Sequence, residues 1–218
     1  MATISIASAK GGCGKTTVAI LIGTYLSQSG YEVTLLDCDI NQHATAFGEK
    51  ANLENFHVKP SIDEFNILSS LRDAEKVSDV VFIDLPGGSS TLALKALQRS
   101  NYVLVPCQTS LPDVKDAMKT IAQIDDAEDL ARVKIAYSLI WTRIFPGFES
   151  KSAKHVRTSI EKQNIPLFKN GIVERAAFRE IHLTGQIPHQ KDPDSKASLD
   201  VANISNELLE NLEKLAGE

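Results

Sequence analysis

The feature that most constrains the fold is a glycine-rich loop near the start of the chain, Lys10-Gly11-Gly12-Cys13-Gly14-Lys15-Thr16-Thr17. It matches the phosphate-binding pattern G-x-x-x-x-G-K-[ST], with Ala9 in place of the first glycine. Residues 3–8 have a strand-like pattern, and residues 16–29 have a helical one that ends before Gly30. This order turns backbone N–H groups and the positive end of a helix toward a phosphate. We therefore predict an ATPase that binds Mg-ATP through this loop.

The residue types within the loop have distinct predicted tasks. Its glycines let the backbone turn tightly enough for N–H groups to face phosphate oxygens. Lys15 is expected to reach the β- and γ-phosphates, and the hydroxyl of Thr16 is expected to bind Mg²⁺. The predicted nucleotide-binding residues of the loop are Gly11, Gly12, Cys13, Gly14, Lys15, Thr16 and Thr17.

The rest of the chain alternates apolar runs of strand length with helical stretches. The predicted strands are residues 32–36, 80–83, 102–105 and 134–140. This alternation predicts a doubly wound α/β fold, a mostly parallel sheet with helices on both faces. No repeat or Gly/Ser-rich linker interrupts residues 1–218, so we predict a single domain.

Acidic residues fall where two of the predicted strands end. Asp37 and Asp39 follow the second strand, and Asp84 ends the run at residues 80–83. Ligands of parallel sheets bind at the carboxyl ends of the strands, so we expect these carboxylates beside the phosphate loop. Ser61-Ile62-Asp63-Glu64 has the spacing of a capping box and predicts the start of a helix.

Composition narrows the class of protein. The net charge is −5, yet residues 132–191 hold 11 Lys+Arg against 4 Asp+Glu, a local balance of +7. Three widely separated cysteines without CxxC spacing indicate neither a disulfide framework nor a zinc site, which fits a reducing compartment. We find no signal peptide and no apolar run long enough to span a bilayer, so we predict a cytoplasmic protein.

Lys10 makes the loop more specific, because Lys-Gly-Gly-x-Gly-Lys-Thr-Thr resembles the deviant Walker A loop of the ParA/MinD family of ATPases. The resemblance implies an ATP-sandwiched homodimer in which Lys10 crosses the interface and touches the partner's nucleotide. We therefore count Lys10, Lys15 and Asp39 as the predicted catalytic residues.

The resemblance extends along most of the chain. Leu35-Leu36-Asp37-Cys38-Asp39 is similar to the family's second acidic motif, in which the later aspartate, here Asp39, positions the attacking water. Phe82 to Gly88 is similar to the Walker B strand and its switch loop, so Asp84 would hold Mg²⁺ through a water. The predicted metal site is Thr16, Asp37 and Asp84. Ile40 and Asn41 depart from the family pattern, which usually has Pro-Gln after Asp-x-Asp.

Later segments also resemble the family. Residues 105–113 are similar to its proline-containing loop near the dimer interface, and residues 173–180 are similar to the late region of short ParA proteins. Thr142 and Arg143 stand where the family places an Asn/Thr-Arg segment beside adenine, so both are predicted nucleotide contacts.

The resemblance to short ParA proteins implies a function over the nucleoid. The ATP-bound dimer would bind DNA without sequence preference, and a ParB-like or other adaptor protein would stimulate hydrolysis. The cargo would be a plasmid, a chromosome region or a protein assembly. The predicted DNA-binding residues are Lys151, Lys154, Arg157, Arg175 and Arg179.

Other readings remain open. A MinD-like ATPase would be directed to a membrane or a protein, but Leu208, Leu212 and Leu215 form an apolar stripe beside an acidic face, which favours packing in the core and no membrane binding. A metabolic enzyme of the dethiobiotin synthetase type shares a related fold. An ATP-gated binding module that barely hydrolyses ATP is a third alternative. The spacing of the cysteines does not match the cluster-binding pattern of the nitrogenase iron protein.

Overall fold

The centre of the molecule is a parallel β-sheet. The computed structural model describes residues 1–147 and 149–217, and within them six strands pair in the order β3-β2-β4-β1-β5-β6. Every pairing between these strands is parallel, which confirms the predicted doubly wound class. The strands are β1 (Ala2–Ile6), β2 (Val33–Asp37), β3 (Phe56–Lys59), β4 (Val80–Asp84), β5 (Tyr102–Gln108) and β6 (Ala136–Thr142).

Helices cover both faces of this sheet. They are α1 (Lys15–Gln28), α2 (His43–Ala51), α3 (Ile67–Glu75), α4 (Thr91–Leu97), α5 (Leu111–Ala131), α6 (Lys151–Lys162), α7 (Ala176–Thr184), α8 (Pro188–Lys191) and α9 (Lys196–Ala216). Successive residues of β4 alternate between two cores: Val80 and Phe82 pack with α1, α2, α7 and α9, whereas Val81 and Ile83 pack with α3, α4, α5 and α6. This alternation is why the strands read as continuous apolar runs.

The order of the strands determines where a ligand can bind. After β1 the chain crosses to β2 on one side of the sheet, and after β4 it crosses over β1 to reach β5 on the other side. The loop after β1 therefore lies near the point where the direction of winding changes, which is the usual ligand position in open α/β sheets.

Two details of the predicted secondary structure were wrong. The capping box at residues 61–64 does not start a helix, because Ser61 has a positive φ of 56° and Asp63 Oδ1 accepts from the N–H groups of Phe65 and Asn66 in a turn. α3 begins only at Ile67. The edge strand β3 was missed, since its four residues lack an apolar run.

The carboxyl-terminal stripe was predicted correctly for two of its three leucines. Leu208 is fully buried and Leu212 packs partly against the same core, but Leu215 is 38% exposed at the end of α9. Of the helices described, none combines the length and the apolar character that crossing a bilayer requires.

Candidate functional site

The glycine-rich loop forms the centre of the candidate site, between β1 and α1. Gly12 and Gly14 have φ values of 76° and 97°, which residues other than glycine rarely adopt. Gly14 is the N-cap residue of α1 and has no side chain with which to cap it. The first-turn N–H groups of α1 are therefore left for a ligand, and with the helix dipole they favour an anion.

Side chains from later strands and helices hold this loop in place. Each is hydrogen-bonded to the loop backbone: Thr120 Oγ1 accepts from Ala9 N–H at 2.8 Å, Thr142 Oγ1 donates to the Cys13 carbonyl at 2.8 Å, and Gln108 Nε2 donates to the Gly12 carbonyl at 3.3 Å. Thr142, predicted beside the base, thus supports the loop as well. Thr120 and Gln108 were not predicted, because nothing local in the sequence connects them to residues 9–14.

Lys15 folds back over the loop. Its side chain is almost fully buried, and Nζ donates to the carbonyl of Lys10 at 3.3 Å. A buried ammonium with one neutral acceptor is poorly compensated. The position therefore suits a group that would neutralise an incoming anion at the first turn of α1.

Asp84 is the most unusual group of the site. It ends β4 in register with Asp37 of β2, is fully buried, and neither of its carboxylate oxygens has a hydrogen-bond partner among the described residues. Burial raises the pKa of Asp84 to about 7, and the charges of Asp37 and Asp39 add to this effect. The Thr16 hydroxyl and the Lys15 ammonium lie near enough to lower the pKa, although the Thr16 geometry falls short of a hydrogen bond.

Asp37 is buried as deeply as Asp84 but is fully engaged. Its Oδ2 accepts from the N–H and the hydroxyl of Thr45 at 2.9 and 2.8 Å, and its Oδ1 accepts from the N–H of Asp39 at 3.2 Å. Asp37 therefore stabilises the turn that connects β2 to α2. Its predicted role as a metal ligand stays a prediction.

Asp39 lies half-buried on that same turn. Its Oδ1 accepts from both the backbone N–H and the side-chain amide of Asn41 at 2.9 Å, and Gln42 Nε2 donates to its carbonyl at 2.6 Å. Asn41 departs from the family pattern, yet it orients the predicted water-positioning carboxylate. Ile40 between them is 93% exposed.

Lys10 forms an ion pair that the sequence did not reveal. Its Nζ lies 2.6 Å from Oδ1 of Asp113, whose other oxygen accepts from the Ser110 hydroxyl. Burial alone would raise the pKa of Asp113, but the hydrogen bonds from Lys10 and Ser110 outweigh it and hold that pKa below its usual value. The hydrogen bond to Asp113 raises the pKa of Lys10 in turn. Lys10 is thus positively charged and bonded within its own chain.

The predicted switch loop touches the phosphate loop directly. A Cβ at Gly87 would lie 2.8 Å from the Gly11 nitrogen and 3.0 Å from the Lys10 carbonyl carbon, so only glycine fits there. Gly88 has a φ of 107°, and its N–H donates to the Ser8 carbonyl at 3.1 Å. A displacement of either loop would therefore displace the other.

A cavity of about 370 Å³ opens beside the first turn of α1. Its lining combines an apolar wall with polar and charged groups, contributed by Gly14, Thr17, Thr142, Arg143, Ile172, Val173, Glu174, Arg175, Phe178, Arg179 and His182. The predicted base contacts Thr142 and Arg143 both lie here. Its volume and its position next to the phosphate loop suit a nucleoside.

The five predicted DNA-binding residues separate into two groups. Lys151, Lys154 and Arg157 lie exposed on α6, where Arg157 pairs with Glu149 at 2.9 Å. Arg175 and Arg179 lie instead in the wall of the cavity. Arg175 pairs with Asp200 at 2.6 Å and is only 21% exposed, and Arg179 pairs with Glu174 at 3.4 Å. The structure therefore does not bring all five together on one surface, because local partners engage the last two.

The residues around Asp84 fit a magnesium ion. Over residues 1–147 and 149–217, no three His, Cys, Asp or Glu side chains cluster as a protein-only metal site requires. Mg²⁺ does not need such a cage, since it typically takes one or two protein oxygens together with phosphates and water. The unpartnered oxygens of Asp84 and the nearby Thr16 hydroxyl provide that donor set.

Comparison with known proteins gives consistent relatives. The family model described as the CobQ/CobB/MinD/ParA nucleotide binding domain matches residues 4–189. The chain is 27% identical to Protein ParA of Rhizobium radiobacter over 85% of its length and 84% of the relative's. It is 26% identical to maintenance of carboxysome distribution protein A of Halothiobacillus neapolitanus, over 95% and 96%.

A solved structure supports the same fold. The putative plasmid partition protein of Borrelia burgdorferi bound to AMPPNP superposes with a TM-score of 0.75. It is 22% identical and covers 96% of this chain and 99% of its own. At this level of identity the likeness shows the fold alone.

Replacing Asp84 by Asn should change how stability depends on pH. The folded pKa is about 7 against an ordinary 3.8, so between these values the folded state keeps a proton that the unfolded state releases. Wild-type stability should therefore fall relative to Asp84→Asn as pH rises from about 4 to about 7. The check is urea unfolding of both proteins in EDTA across this range. A difference that does not vary with pH would contradict the environment described for Asp84.

Proposed function

Because the chain belongs to the CobQ/CobB/MinD/ParA nucleotide-binding family and is an ATPase of its positioning and partition type, we propose that ATP joins two copies into a DNA-binding dimer. An adaptor protein then stimulates hydrolysis and separates the copies. This cycle moves or spaces a cargo over the nucleoid. The relative named for carboxysome distribution supports a protein assembly as one class of cargo.

The nucleotide is proposed to span the phosphate loop and the cavity. Lys15 would leave the Lys10 carbonyl to contact the β- and γ-phosphates. Thr16 would bind Mg²⁺ directly, and Asp84 would bind it through a water molecule. The ion would then provide the positive charge that the Asp84 carboxylate lacks among the described residues. Asp39, oriented by Asn41, would position the attacking water.

The observation that carries the dimer is the exposed apolar rim around this site. At the carboxyl edge, the loops after β2, β3 and β6 and the first turn of α5 each present one large apolar side chain: Ile40 (93% exposed), Phe65 (87%), Phe145 (69%) and Leu111 (59%). Gly11 and Gly12 of the phosphate loop are also exposed between them. Exposed apolar side chains beside an open site favour a partner that covers the site, and a second copy would do so symmetrically.

Lys10 supports the proposal that this partner is a second copy. In one chain its side chain is 41% exposed, and its Nζ is bonded to Asp113 at the start of α5. To touch a nucleotide in the other copy it must leave Asp113. We propose that the γ-phosphate of the partner's ATP replaces the Asp113 carboxylate, so that the ion pair holds Lys10 in place until the dimer forms.

The proposed DNA surface is centred on α6. Ala153, Val156 and Ile160 pack inward, which leaves Lys151 and Lys154 exposed with no acidic partner within 4 Å in the described part of the chain. Arg157 adds charge although Glu149 shares it. Arg175 and Arg179 contribute less, because ion pairs in the cavity wall already engage them. A dimer would present α6 twice and so engage about twice as many phosphates.

Two lysine substitutions should separate nucleotide binding from dimerisation. Lys15→Ala removes the phosphate-contacting ammonium and should weaken Mg-ATP binding by about tenfold or more. Lys10→Ala should bind Mg-ATP within about threefold of wild type, yet fail to dimerise with a non-hydrolysable ATP analogue. Calorimetric titration and sedimentation velocity measure the two properties. A Lys15→Ala protein with undiminished affinity would remove the phosphate-loop assignment, and a normally dimerising Lys10→Ala protein would remove the proposed role of Lys10 in the dimer.

Binding to unrelated DNA duplexes should require ATP and depend steeply on salt. Each phosphate contact contributes a slope of about −0.9 in log K against log salt, so Lys151→Ala/Lys154→Ala should flatten the slope and weaken binding. Lys76→Ala/Lys119→Ala makes the same change in charge on α3 and α5 and is the matched control. Binding would be measured with ATP, ADP and no nucleotide at several salt concentrations. DNA binding that is absent at low salt, or that responds equally to both double variants, would argue against the α6 surface.

A further inference from the structure

We propose that His182 is a nucleotide-contacting residue whose ring donates a hydrogen bond to an oxygen of the ribose–α-phosphate part of the bound nucleotide. The inference rests on the proposed nucleotide site and adds a residue to it. Neither the loop motif nor the residues that resemble the family indicates this histidine.

The cavity offers a nucleoside both an apolar side and a polar corner. Ile172, Val173 and Phe178 form an apolar side suited to the flat base. Next to Gly14 in the same cavity, and one turn of α7 beyond Phe178, the side chains of Thr17 and His182 form a polar corner, with Thr17 Oγ1 3.4 Å from His182 Nε2. A base on the apolar side and phosphates at the loop would place the sugar and the first phosphate at this corner.

Thr17 connects this corner to the phosphate loop. It lies in the first turn of α1, where the backbone N–H groups have no intrahelical acceptor and Gly14 provides no side-chain cap. His182 Nε2 thus lies beside the unsatisfied end of a helix and within hydrogen-bond range of a hydroxyl that shares that end. An oxygen bound by the first turn would also be within reach of the imidazole.

Contacts between α7 and α2 hold His182 in position. Lys50 Nζ donates to the His182 carbonyl at 2.8 Å. Just beyond, Gly185 ends α7 with a φ of 72°, and a Cβ there would lie 2.7 Å from Lys50 Cβ and 2.8 Å from Ala51 N. This close packing of α7 on α2 fixes the backbone that carries the imidazole.

The charges around His182 favour a neutral hydrogen-bonding ring. Burial lowers the pKa of His182 below its usual value, and His43 and Lys50 on α2 lower it further. Of the other charged groups that line the cavity, Arg175 pairs with Asp200 and Arg179 with Glu174, whereas Arg143 forms no ion pair within the described residues. A neutral imidazole with its proton on Nε2 can donate to a ligand oxygen that lies beside Thr17 Oγ1, because that nitrogen already faces this hydroxyl.

The test compares substitutions that place a hydrogen-bonding nitrogen at different distances from the backbone. In His182→Gln the amide nitrogen stands near the position of Nε2, in His182→Asn it stands near Nδ1, and in His182→Ala it is absent. His43→Ala removes a neighbouring histidine that does not line the cavity and is the matched control. Affinity for Mg-ADP and for Mg-2′,3′-dideoxy-ADP would be measured by calorimetry on the full chain, with thermal unfolding of each protein without nucleotide.

We expect His182→Ala and His182→Asn to weaken Mg-ADP binding about 5- to 10-fold, the size of one hydrogen bond, with His182→Gln and His43→Ala within about twofold of wild type. If the loss disappears with the dideoxy nucleotide, His182 binds a ribose hydroxyl, and if it persists, His182 binds the α-phosphate. Either result supports the proposal.

Two results would overturn it. One is an unchanged affinity in both His182→Ala and His182→Asn. The other is an equal loss in all three variants, since packing alone would then explain the effect. The outcome is separable from that of the proposed function: if Lys15→Ala loses nucleotide and the His182 variants do not, only the role of His182 fails.

Discussion

The rest of the site is arranged around the carboxylate of Asp84, which is buried at the end of a central strand and has no hydrogen-bond partner among the described residues. Parallel pairing brings it level with Asp37 and next to the end of β1, so two acidic groups meet where water is excluded. Burying an uncompensated charge is costly, and the raised pKa of Asp84 expresses that cost. A cation bound with phosphate oxygens would remove this cost, so we propose that magnesium and nucleotide complete the site together.

The other key groups are bonded within the chain, and a ligand must exchange these bonds. Lys15 is bonded to the Lys10 carbonyl, and the Lys10 ammonium is bonded to Asp113. Asp39 is held by Asn41 on a turn that Asp37 anchors through Thr45. These contacts hold the site together without nucleotide, and we propose that the two lysines change partners when it binds. The cycle of binding and hydrolysis is therefore expected to act through these two side chains and through the glycine contact between the phosphate and switch loops.

The sequence was sufficient where the chemistry is local. The phosphate loop, the acidic strand ends and the doubly wound sheet all follow from short motifs and apolar runs that need no knowledge of distant residues. Asp113, His182 and Thr120 were missed because their partners, Lys10, Thr17 and Ala9, lie more than a hundred positions away in sequence. The capping box at Ser61 failed because a local turn around Asp63 and Asn66 competed successfully for the same backbone groups. Arg175 looked like part of a basic surface because the sequence does not show that Asp200 faces it.

The central claim, that Asp84 and the phosphate loop together accept a magnesium nucleotide, is tested most directly by thermal unfolding of the wild-type chain under four conditions. These are EDTA alone, MgCl₂ alone, ATP with EDTA, and ATP with MgCl₂. Ligand at about 100 times its Kd adds about 2.7 kcal/mol, which in a domain of this size raises the unfolding midpoint by about 5–10 °C. The account predicts that only ATP with MgCl₂ gives the full shift. A shift of the same size with ATP and EDTA, or no shift with Mg-ATP, would contradict it.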